Sequence, residues 1–119
     1  VSVYIPITTA ESNVPVKVPW DNTKLVYAYT TFVSNNAGAV LDGGDCLITL
    51  EKDAADGTAL GTITIANGAA VGDVDEVDTT AVAAARGLNS SSVVNVAVDG
   101  NTSTTLGAFN LYLYFEPDK

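Results

Sequence analysis

At 119 residues with 47% hydrophobic side chains, the chain has the size and apolar content of one domain with a two-layer core, which excludes a disordered segment. Its 14 acidic residues against 5 basic ones give a formal net charge of -9, a surface that repels phosphate backbones and anionic lipids. The basic residues Lys17, Lys24, Lys52, Arg86 and Lys119 are scattered, so nucleic acid is excluded as a partner, and no apolar run reaches membrane-spanning length, so no membrane partner is expected.

Residues 1–7 alternate Val1, Val3, Ile5 and Ile7 against Ser2, Tyr4 and Pro6, which predicts a strand that Pro6 confines to a sheet edge. Val14-Pro15-Val16-Lys17-Val18-Pro19 repeats the alternation, and Trp20-Asp21-Asn22 supplies an aromatic plug and a turn. With Pro6, Pro15 and Pro19, residues 1–20 read as an extended arm whose apolar alternation seeks an acceptor sheet edge. Residues 25–33 form a long aromatic and β-branched run, expected to be a central strand with Leu25, Tyr27, Tyr29, Thr31 and Val33 on one face and Val26, Ala28, Thr30 and Phe32 on the other.

Asn35-Asn36-Ala37-Gly38 and Asp42-Gly43-Gly44-Asp45 are turn chemistry leading to a strand over 46–52. The polar segment around Gly57 then closes a hairpin with residues 59–66. Val74, Val77, Ala81, Ala84 and Leu88 recur at helical spacing. A short helix is expected around 79–87, with Thr79 or Thr80 as cap, Arg86 in the last turn and Gly87 as stop. Residues 93–98 and 107–115 flank a polar loop opened by Asp99-Gly100, which reads as a second hairpin. In the last run Phe109, Leu111, Leu113 and Phe115 face the core, and Ala108, Asn110, Tyr112 and Tyr114 the outside. No linker or repeat divides the chain, so residues 1–119 read as a single domain.

No catalytic constellation accompanies these elements. There is no His, and the lone Cys46 sits in an apolar strand beside Asp45, which disfavours a thiolate. Gly72-Asp73-Val74-Asp75-Glu76-Val77-Asp78 has four carboxylates but lacks the spacing of a Ca2+ loop, and solvated acids are the expectation there. Paired carboxylates of the glycoside-hydrolase kind need a facing arrangement that spacing does not provide. No phosphate-cradling glycine loop or zinc spacing occurs, so neither an enzyme nor a cofactor or metal site is expected. The tyrosines stand out instead: Tyr27 and Tyr29 share a strand face, as do Tyr112 and Tyr114, where an apolar ring with a polar tip suits a wet or intersubunit boundary.

The order of an extended start, Lys24-Leu25-Val26-Tyr27-Ala28-Tyr29-Thr30, the hairpin around Gly57, Val93-Val94-Asn95-Val96-Ala97-Val98-Asp99-Gly100 and a final Asn110-Leu111-Tyr112-Leu113-Tyr114-Phe115 resembles the small jelly-roll virion proteins of tailed bacteriophages, in particular capsid decoration or cement proteins. The resemblance implies an all-β, antiparallel, jelly-roll-like sandwich without enzymatic activity. It also implies a trimer, made in the host cytoplasm, that sits on the outer capsid surface and clamps neighbouring major capsid protein subunits. Candidate interface residues are then Val1, Val3, Tyr4, Ile5, Ile7, Trp20, Tyr112 and Tyr114. The alternative from the same residues is a carbohydrate-binding or adhesin-like module using exposed Tyr or Trp.

Overall fold

The period-two alternation of apolar and polar residues produces strands almost throughout. The computed structural model describes residues 1–8, 10–34, 44–100 and 107–118. Among them are β1 (Ser2–Pro6), β2 (Ser12–Lys17), β3 (Thr23–Ser34), β4 (Cys46–Lys52), β5 (Ala59–Ile65), β6 (Val74–Asp78), β7 (Val93–Asp99) and β8 (Gly107–Pro117), with one 3-10 turn at Ala83–Ala85. Two four-stranded sheets result, in the orders β1-β8-β3-β6 and β2-β7-β4-β5. The pairings β1 with β8, β2 with β7, β3 with β6 and β4 with β5 are all antiparallel and nest one inside the next. The chain is thus one long hairpin rolled up, with β3–β8 and β4–β7 contacts sewing the roll into two sheets. That nested order is a jelly roll, and the expected all-β antiparallel sandwich is what the chain forms.

Between the sheets lies a continuous apolar core that includes Ile5, Leu25, Phe32, Ile48, Leu50, Ile63, Val96, Phe109 and Leu111. The face of β8 carrying Phe109, Leu111 and Leu113 is buried as expected, and β4 and β5 form the hairpin expected around Gly57. At β3 the alternation slips: a bulge between Leu25 and Tyr27 leaves Val26 unpaired, so Leu25 joins Ala28, Thr30 and Phe32 in the interior rather than the tyrosines outside.

Three expectations are corrected. β7 and β8 do not pair as the expected second hairpin, since they belong to different sheets. β7 is buried from Val94 to Val98 on both faces and takes β2 and β4 as neighbours. Strand alternation carries no information about which strand is the partner. The expected turn residues Asn35 to Gly38, Asp42 and Gly43, and 101–104 of the polar loop, lie outside the described residues.

The second correction concerns the helical spacing. Val74 to Asp78 is an edge strand laid along β3, not the start of a helix. Its valines satisfy a helical period over a few residues, but their β-branching suits the pleat and β3 offers an open edge. Within the expected 79–87 span only Ala83–Ala85 is helical, as a single 3-10 turn. Thr79 is no cap; its buried hydroxyl donates to the Leu25 carbonyl at 2.5 Å. Gly87 does end the turn, in the left-handed region at φ 64, while Arg86 bonds the Asp118 carboxylate at 2.6 Å.

Third, the N-terminal segment takes the expected edge positions, but its acceptor edges belong to this chain rather than to a neighbour. β1 and β2 are edge strands of this chain's own sheets, and Ile5, Ile7, Val16 and Val18 lie in its core. Pro6 and Pro15 are exposed and lie on these edge strands, where a missing ladder N–H is tolerated.

Candidate functional site

Directly opposed residues of an antiparallel ladder share a face, so the registers of the first sheet define its outer surface. One row runs Asp78, Tyr27, Tyr114; the next Glu76, Tyr29, Tyr112, Ser2; the third Val74, Thr31, Asn110, Tyr4. Pairing β3 with β8 thereby brings two Tyr-x-Tyr segments side by side. Tyr29 stacks on Tyr112, with ring centroids 4.6 Å apart and planes 16° apart. It also lies 6.1 Å from Tyr114 and 6.0 Å from Tyr27, and Tyr27 is 5.9 Å from Tyr114. Beside the rings is an open groove of about 450 Å³ lined by Val26, Tyr27, Tyr29, Tyr114, Phe115 and Glu116.

The Tyr27 hydroxyl donates to the Glu76 carboxylate. That bond, followed by lost hydration and the Glu76 charge, pushes the Tyr27 phenol up to about 12. Tyr29 is raised as well, first by its hydrogen bond with Tyr114 and then by lost hydration. Both phenols are therefore neutral donors across physiological pH, and the surface they form is aromatic at its centre and anionic at its rim.

The candidate interface residues fall in different places. Tyr112 and Tyr114 are in the cluster, with Tyr114 50% exposed, and Tyr4 is exposed at the far end of the same face. Val1 is exposed, and its ammonium group bonds the Leu113 carbonyl at 3.0 Å. Val3 packs half-buried against the core. Ile5 and Ile7 are core side chains and present nothing to a partner. Trp20 stands exposed on the turn before β3, outside the cluster. Tyr27, Tyr29 and Glu76 complete the site but were absent from the sequence-based set. The identical spacing of Tyr27-Ala28-Tyr29 and Tyr112-Leu113-Tyr114 was the available signal, and only the register turns it into one patch.

The acidic run does not converge on a point. Strand alternation turns Glu76 and Asp78 outward while Asp75 is half-buried on the other side. Asp73 accepts from the Ala70 N–H at 2.9 Å. Asp78 accepts from the Thr80 hydroxyl and N–H, which holds its carboxyl below the usual range. Asp75 is raised by burial and then by the Asp73 charge. Among the described residues no group of three or more His, Cys, Asp or Glu side chains is placed to hold a metal ion. In the second turn cluster, Asp45 accepts from the Asn67 N–H at 2.7 Å. Cys46 is buried, and burial followed by the Asp99 charge pushes its thiol up to about 12, so it is a core side chain rather than a nucleophile.

Compared with known proteins, the chain matches no family model, no curated protein and no solved structure.

Proposed function

We propose that this chain is a non-enzymatic structural protein of a virion surface, a capsid decoration protein that docks on assembled major capsid protein through its tyrosine face and acts as a trimer. The observation that carries the reading is the cluster of Tyr27, Tyr29, Tyr112 and Tyr114 on the outside of a rigid two-sheet body. A clamp needs a stiff scaffold and a patch that gains by leaving water. Four adjacent phenols combine large apolar area with hydroxyls that remain satisfied at a boundary. The acidic exterior keeps free copies apart before docking.

The test is co-sedimentation with undecorated shells of the major capsid protein encoded beside this chain. Full-length protein pellets with the shells, and a Tyr112→Ser, Tyr114→Ser variant stays in the supernatant. Failure of the unaltered chain to pellet overturns the reading, as does the absence of any neighbouring capsid gene. Light scattering of the bound and free protein tests the trimer.

A second reading, a carbohydrate-binding module, is favoured by the Tyr29–Tyr112 stack beside an open groove, because sugar rings pack on such a platform. Binding to a glycan array that Tyr114→Ala abolishes, with no shell binding, selects it.

A further inference from the structure

We infer that the groove at Tyr27, Tyr29 and Tyr114 receives the cationic side chain of an arginine- or lysine-bearing segment of the partner protein, an inference that rests on the tyrosine face being the docking surface. The three centroids form a nearly equilateral triangle with sides of 5.9, 6.0 and 6.1 Å. A cation seated over that triangle lies within the ~6 Å range of attraction to all three rings at once. The rings are tilted to one another by 22° to 55°, and one face of Tyr29 is taken by its stack on Tyr112.

The rim supplies the rest of the recognition. Glu76 is fixed at one side by the Tyr27 hydroxyl, Glu116 lines the groove, and Asp78 lies opposite Tyr27 on β6. Among the described residues no basic side chain lines the groove. Lys24, in register with Glu116, has its charge near Asp118. An arriving guanidinium therefore finds three aromatic rings and carboxylates around it, the pairing that its planar fork satisfies best. A neutral sugar would stack on the same rings but gains no Coulomb attraction from this rim, and an acidic peptide is repelled by it.

The experiment is a calorimetric titration of the full chain with a short capped arginine-rich peptide, beside a glutamate-rich peptide of equal length and a neutral oligosaccharide. The arginine peptide binds, more weakly as salt rises, and the other two do not. Tyr114→Ala weakens that binding by roughly tenfold, and Glu76→Gln with Glu116→Gln does likewise. Asp56→Asn, in the β4–β5 loop of the other sheet, leaves it unchanged, and circular dichroism verifies that each variant folds. Equal binding of the arginine and glutamate peptides overturns the inference. So does full binding by Tyr114→Ala, or saturation by the oligosaccharide alone. If shells bind through the tyrosines while the arginine peptide does not, the cation site fails and the docking reading stands. If the peptide binds at the groove and shells do not, the cation site stands and the docking reading fails.

Discussion

The Tyr27 hydroxyl reaches the Glu76 carboxylate diagonally across the β3–β6 ladder, because the residue directly opposite Tyr27 is Asp78 and the one opposite Glu76 is Tyr29. A single hydrogen bond thereby ties the edge strand to the aromatic cluster and holds a charge at its border. The bond needs the phenol protonated, and this gives it a signature in alkali.

Tyr27 has a folded value of about 12 against an ordinary one near 10. The folded state thus holds its proton over a range where the unfolded chain has lost it. The stabilisation is complete below about pH 10 and disappears as pH rises through about 12. Spectrophotometric titration of tyrosinate in the full chain should show a late-ionising phenol, and Glu76→Gln should return it toward the ordinary value. An unchanged titration curve in that variant would contradict the assignment.

Thr30 lies in the core on β3, and its hydroxyl has no hydrogen-bond partner among the described residues. A buried donor left unsatisfied costs about 1–3 kcal/mol, and a methyl of the same shape removes that cost. Thr30→Val should therefore stabilise the chain by about 1 kcal/mol in urea denaturation. Loss of stability would mean that the hydroxyl has a partner after all.

Ile5 belongs to the edge strand β1 yet is only 1% exposed. Truncating it to alanine removes core volume beneath β8, and Ile5→Ala should cost about 2–5 kcal/mol. Val1→Ser, at an exposed position, should lie within about 0.5 kcal/mol of the parent. Equal denaturation midpoints for the two variants would mean that β1 is not part of this chain's core and would restore the reading of residues 1–20 as an arm for a neighbour.

Chelation is expected to leave the melting temperature unchanged, because Asp73, Asp75, Glu76 and Asp78 are dispersed over a turn and two sides of β6. A fall with EDTA that Ca2+ reverses would show an ion contributing stability by mass action.

Much of this architecture can be read from local pattern. Alternation in residues 109–114 correctly separates the buried Phe109, Leu111 and Leu113 from the outward tyrosines, whereas Ala108, expected outside with them, is fully buried. The segment around Gly57 closes its hairpin because the two strands it joins are neighbours in sequence. What stays hidden is non-local. Nothing in Val93 to Asp99 says that β2 and β4, rather than β8, will flank it. The bulge at Val26 reverses the face of Leu25 without any glycine to mark it. In β6 the spacing of Val74 and Val77 fits a helix as well as a strand until β3 provides an edge. The site shares this limit: two Tyr-x-Tyr segments are visible in the sequence, but their union with Glu76 is a consequence of register.

Chemical nitration of the docked protein tests the central claim most directly. With the chain bound to assembled capsid shells, Tyr114 and Tyr112 should be protected relative to the free protein, while solvent-exposed Trp20, outside the face, keeps its reactivity toward an indole reagent. Unchanged nitration of Tyr114 in shell-bound protein would show that docking uses another surface and would contradict the account.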